Sequence, residues 1–145
     1  MKRNSTSSCA VNLLATLWFA LAVVLEVQSA GTPPLIAAIK AGDTAGTDSL
    51  LQSDPPLNAG DDDGNTALHW AAIHGRADLV RELVRRGAAV NATNAVGATP
   101  LIYGVGNLDS VRALLDGGAD VNRVTKWGTS SLVAAARHPE SAATI

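Results

Sequence analysis

Asp61-Asp62-Asp63-Gly64-Asn65-Thr66-Ala67-Leu68-His69-Trp70-Ala71-Ala72-Ile73-His74-Gly75 carries the local instructions that the rest of the chain repeats. An acidic run closing on Gly64-Asn65 is turn chemistry. Thr66 stands where a hydroxyl caps a helix by accepting from a free backbone N–H. The helix it opens is short, and Ala71-Ala72 keep one face small so that a neighbouring helix can approach. Gly75 suits a helix end that needs a left-handed backbone. Beyond it Leu79, Val80, Leu83 and Val84 recur at three-and-four spacing, the apolar stripe of a second helix. Asp78 sits where a negative charge favours that helix's N-terminus, and Gly87 is placed to end it.

The same skeleton returns at Gly97-Ala98-Thr99-Pro100-Leu101, at Val111, Leu114 and Leu115, and at Gly117-Gly118-Ala119-Asp120-Val121-Asn122. Gly64 and Gly97, Thr66 and Thr99, and Asn58 and Asn91 are each 33 residues apart. Gly75 to Gly106 and Gly87 to Gly118 span only 31. The third unit has therefore lost two residues, best placed at the end of its first helix after Gly104-Val105. Pro100 follows its cap at the first helical position, where a missing N–H costs nothing. Gly106 and Gly118 are expected at left-handed helix ends, and Asp109 repeats the role of Asp78. Four units follow: about 30–60, 61–93, 94–124 and a partial one at 125–145, opened by Ser130 and Ala134-Ala135-Ala136. A period of this length means units that each bury a face against the next, a stacked fold whose work is binding.

The pattern resembles the ankyrin repeat family, a turn plus two helices; the 34-residue tetratricopeptide alternative needs a Trp/Leu-Gly/Tyr pattern that is absent. The resemblance covers everything after the N-terminal segment and is strongest at 61–93. It implies an all-α, helix-turn-helix repeat solenoid with β-hairpin-type connecting turns and about three and a half repeats. It implies that the Thr66 hydroxyl and the His69 imidazole hydrogen-bond and stiffen their turn. Trp70, where the family usually carries Leu, reads as partly buried packing. Partners of such stacks meet the hairpin tips and the concave face of the first helices. Those positions here are Asp62, Asp63, Asn65, Ile73 and His74, then Ala95, Val96 and Ala98, then Lys126, Trp127, Thr129, Arg137 and His138. Trp127 is singled out, because a Trp on a hairpin tip is exposed unless covered and Trp is a favoured interface anchor; packing on the adjacent hairpin, or on further C-terminal sequence of a longer protein, is the competing reading.

Before the repeats, Lys2-Arg3 and the apolar run Val11 to Leu25 give way to Glu26-Val27-Gln28-Ser29-Ala30. That is the layout of a secretory signal peptide over 1–29, with cleavage expected after Ser29 and Ala30 as the alternative. About fifteen apolar residues fall short of the roughly 20 of a spanning helix, so a membrane is a partner only if the segment stays attached. Removing it takes two of the eleven basic and one of the thirteen acidic residues, leaving a net charge near −3, unlike a basic nucleic-acid protein. The single cysteine, Cys9, leaves with it. The expectation is an exported module, periplasmic or secreted, that holds a protein partner.

No phosphate-cradling loop, nucleophile elbow or paired-Cys zinc spacing is present, so no enzyme activity, cofactor or small-molecule substrate is expected. Asp61-Asp62-Asp63-Gly64-Asn65 lacks the alternating acids and distal Glu of a calcium loop and reads as a solvated tip or an electrostatic contact for a basic partner. Arg76, Arg81, Arg85 and Arg86, diluted by Glu82, read as a solvated helix face. The fourth unit carries Pro139 where an inter-helix glycine belongs, and a proper terminal repeat presents a polar outer face. It either caps the stack crudely or leads into a longer exported protein with a downstream enzyme or redox domain.

Overall fold

A computed structural model describes residues 31–137; the expected signal segment, His138 and Pro139 lie outside them. Among the described residues there are seven helices: α1 (Pro34–Ala41) pairs with α2 (Thr44–Gln52), α3 (Ala67–Ile73) with α4 (Ala77–Arg85) and α5 (Pro100–Gly104) with α6 (Leu108–Asp116), and α7 (Ser131–Arg137) follows. The first helices stack in a row, α1 on α3, α3 on α5 and α5 on α7, while α4 stacks on α6 behind them.

The expected stripes are buried only in part: Val84 and Val111 are half-buried and Leu115 is exposed. Leu79, Val80 and Leu83 are buried on α4, and Ala113 and Leu114 on α6. With Ile36, Ile39, Leu68, Ala71 and Leu101 they form one continuous core through the stack. Side-chain size sets how closely the units approach: a methyl on Gly104 would stand 3.3 Å from a Leu114 methyl and 3.5 Å from Ala72 Cβ.

The missing two residues shorten α5 to five residues against seven in α3, as the placement after Gly104-Val105 requires. One expectation fails with that shortening. Gly75 adopts φ 62°, but Gly106 is not among the positive-φ glycines. Gly75 and Arg76 close α3 by donating to Ala72 and Ala71. The shorter α5 has no room for that turn, and Asn107 instead donates to Gly104 and caps α6 by accepting from Ser110 at 2.9 Å.

The last helix has no buried residue, and its Leu132 and Val133 are exposed. Arg81 pairs with Asp78, and Arg85 and Arg86 with Glu82. These two arginine bonds hold the Glu82 carboxyl down at about 2. The helix face is not simply solvated, however. Arg86 Nη1 also donates to the Leu51 carbonyl at 2.6 Å and ties α4 to the end of α2.

Candidate interaction surface

Each unit after the first is introduced by a hairpin, and all three hairpins are tied by the same side-chain knot. Asp61 Oδ1 accepts from the N–H of Asp63 (3.2 Å) and of Asn65 (2.9 Å). One unit on, Asn94 Oδ1 accepts from Val96 (3.1 Å) and Ala98 (2.9 Å). In the last, Thr125 Oγ1 accepts from Trp127 (3.3 Å) and Thr129 (3.1 Å). A short side-chain oxygen beside a turn can accept backbone N–H groups two and four residues on, so Asp, Asn and Thr are interchangeable at this position. Gly64, Gly97 and Gly128 follow the three tips at φ 76°, 78° and 72°. A methyl on Gly64 would also meet the backbone of Asn94 and Ala95 at 3.3 Å.

The hairpins are laced to one another. Ala95 N–H donates to the Asp63 carbonyl at 2.9 Å, and Lys126 N–H to the Val96 carbonyl at 3.0 Å. Just ahead of the hairpins in sequence, Asn58 accepts from Ala89 and Asn91 from Asp120, both at 2.8 Å. The tips therefore form a continuous backbone ladder rather than independent loops.

Under the first tip, Asp61 is no solvated residue: its side chain is 5% exposed. Burial alone would raise its carboxyl. The indole N–H of Trp70 at 2.9 Å, the N–H groups of Asn65 and Asp63, and Lys40 at 3.9 Å outweigh that and hold it below its ordinary value. Lys40 also lies 4.3 Å over the Trp70 ring, and His74 stacks on it at 6.0 Å. The partly buried Trp70 thus joins α3 to α1.

Thr66 and His69 form a capping box. The imidazole Nδ1 accepts the Thr66 N–H at 3.1 Å and lies 3.0 Å from its hydroxyl; Nε2 lies 3.0 Å from the Ala98 carbonyl. A backbone N–H only donates, so Nδ1 is the acceptor and Nε2 carries the proton. Burial pushes the His69 pKa down, opposed by the bond to Ala98 and the charge of Asp61. Thr99, expected to cap in the same way, makes no side-chain cap bond, and its buried hydroxyl has no partner. Three residues on, the chain has Ile102 where the second unit has His69.

Of the residues expected at a partner surface, Asp62, Asp63, Lys126 and Trp127 are exposed on the tips, and Ile73 and His74 are exposed at the end of α3. Val96 and Thr129 are half-buried. Asn65 is a correction: it is 7% exposed, and its Oδ1 accepts from the Asn94 amide at 2.8 Å. A polar residue in a turn reads as solvated, but this one bridges two units. Ala98 is buried beside the His69 contact. Trp127 is 76% exposed. Tyr103, one unit on from Trp70 and exposed on α5, was not anticipated; its hydroxyl accepts from Asn94 at 3.0 Å. The knot residues Asp61, Asn94 and Thr125 were also missed, although each stands three residues before a tip glycine. Among the described residues, no group of three His, Cys, Asp or Glu could hold a metal, and no helix is long and apolar enough to cross a membrane.

A family model described as "Ankyrin repeats (3 copies)" matches residues 6–94 and 35–125. Palmitoyltransferase Hip14 of Drosophila melanogaster is 36% identical over 89 residues, 59% of this chain and 14% of that protein. Palmitoyltransferase ZDHHC13 of Homo sapiens is 34% identical over 86 residues, 57% of this chain and 14% of that protein. Neurogenic locus notch homolog protein 1 of Mus musculus is 38% identical over 71 residues, 49% of this chain and 3% of that protein. The chain thus spans a small fraction of the length of these relatives.

Proposed function

Because the chain belongs to the ankyrin repeat family, we propose that it is an exported module which holds a protein partner against its hairpin tips and the adjoining first-helix face. Ankyrin repeats are protein–protein interaction modules. The observation that carries the choice of surface is the laced row of tips: the backbone is bonded throughout, while the side chains of Asp62, Asp63, Lys126 and Trp127 are exposed. A surface already ordered loses little entropy when a partner docks. Ile73, His74, Val96 and Thr129 complete the proposed contact set. Export to a periplasm or out of the cell rests on the basic start and the apolar run Val11 to Leu25, with 1–29 as the leader and 30–145 as the repeat domain.

Changing Asp62, Asp63 and Trp127 together to Ala is expected to weaken capture of the native partner by about tenfold or more, since Trp is a common hot-spot residue. The thermal midpoint should hold, because all three side chains are exposed. Undiminished capture with an intact fold would remove this surface from the proposal. Localisation is tested by the intact mass and cell fraction of the native protein. A soluble species lighter than 14.8 kDa by the mass of residues 1–29 is expected, and an unprocessed species retained in the cytosol would exclude export.

A second reading is favoured by the relatives. In Hip14 and ZDHHC13, both named palmitoyltransferases, the matched stretch is 14% of the protein. The repeats here would then be the binding front end of a longer exported protein, and the same mass measurement would return a heavier species.

A further inference from the structure

The three tips are one position written three times: Asp62-Asp63-Gly64, Ala95-Val96-Gly97 and Lys126-Trp127-Gly128. The frame around them does not change. Each has the same knot and the same left-handed glycine, and one backbone bond joins each tip to the next. Only the chemistry changes along the row. It begins with two carboxylates, passes through a small apolar centre and ends with a cation beside an indole. The side chains of Asp62, Asp63 and Lys126 have no charge partner among the described residues, and Trp127 is 76% exposed.

A row whose successive tips are joined by equivalent backbone bonds and whose ends are opposite in charge is its own complement. A two-fold rotation about the middle tip lays Asp62 and Asp63 of one copy on Lys126 and Trp127 of the other, twice over, and brings Val96 against Val96 on the axis. We infer that the row of tips is an isologous contact whose occupant is a second copy of this chain, paired antiparallel. The inference rests on the reading of the tips as the contact surface and adds the identity of an occupant. Parallel pairing is disfavoured because it sets carboxylates on carboxylates, and like charges across an interface are strongly unfavourable. A foreign partner needs a matching arrangement of its own, whereas a second copy necessarily has one.

A contact made through three tips alone belongs with the small, weak interfaces, so the pairing is weak, with a dissociation constant on the order of 10–100 μM. Its charge pairs lie at the surface, so added salt loosens it.

Sedimentation velocity tests this on the chain as purified from its own cell, from low to several hundred micromolar, at low and high salt. The expected result is a reversible monomer–dimer equilibrium that salt weakens. The double variant D62K/D63K and the single variant K126D should each weaken association by about tenfold or more. Mixing the two variants should restore pairing, since the exchanged ends again carry opposite charge in both contacts. The substituted side chains are exposed, and an unchanged thermal midpoint confirms that each variant is folded. A wild type that stays monomeric throughout would overturn the inference. So would a dimer indifferent to both variants, or pairing that mixing does not restore. A monomeric chain whose capture of a foreign protein still depends on Asp62, Asp63 and Trp127 would overturn only the second-copy occupant. Loss of that dependence with the dimer intact would instead overturn the foreign-partner reading.

Discussion

Replacing His69 with Ala is expected to destabilise the stack by about 2–4 kcal/mol at neutral pH. The change leaves the buried Thr66 N–H without an acceptor and removes one of two donors to the Ala98 carbonyl, and a buried donor stripped of its partner costs roughly 1–3 kcal/mol. The emptied space, in a position 0% exposed, adds to this. The same residue sets a pH dependence. Its pKa lies below the ordinary 6.5 when folded, so below about pH 6.5 the unfolded chain binds a proton that the folded chain refuses, and stability falls as the pH falls. Protonation at Nδ1 would turn a donor toward the Thr66 N–H. Urea unfolding at pH 7 and pH 5 measures both effects. Wild type should lose stability at pH 5, and His69→Ala should start lower and lose less. Equal stabilities at pH 7, or identical slopes, would show that His69 is not the buried neutral link.

Leu114→Ala should cost about 2–5 kcal/mol, the usual range for emptying a fully buried Leu. Leu114 is 0% exposed and lies against the position of Gly104. Its unit is the one whose first helix is already short, so little is available to collapse into the space. Set against a total stability of about 5–15 kcal/mol for a domain, the loss should lower the thermal midpoint by about 10–30 °C. Its neighbour Leu115 is the internal control. At 42% exposed, Leu115→Ala should change stability by no more than about 0.5 kcal/mol. Thermal unfolding of the two variants in parallel decides the matter, and equal midpoints would contradict the packing of α6 under α5.

The helix pairs were legible because glycine spacing and apolar periodicity are properties of the chain itself. The two missing residues could be placed on α5 because Thr99 and Gly106 bracket them. What escaped depends on where a side chain turns. Asn65 and Asp61 are polar residues in turns, and solvation is the ordinary expectation for both. One reaches into the next unit, and the other reaches its own backbone and Trp70. Thr99 looked like a cap from its place before Pro100, but the role in the second unit belongs to Thr66 and His69 as a pair, and the pair is broken by Ile102. Gly106 kept its letter after the deletion had removed the turn that required it. The hairpin tips could be placed from the repeat register, whereas the knots that stiffen them need coordinates, because Asp, Asn and Thr share no pattern except an oxygen at the right reach.

That tolerance separates two kinds of information in the hairpins. The residue three places before each tip glycine carries the bonds that shape the loop, and the two residues between are bonded through their backbone alone. Their side chains can be rewritten without touching the frame. Six positions, 62, 63, 95, 96, 126 and 127, are letters mounted on a fixed line, so under the proposed use of this surface new recognition would arise by changing letters while the scaffold stays as it is.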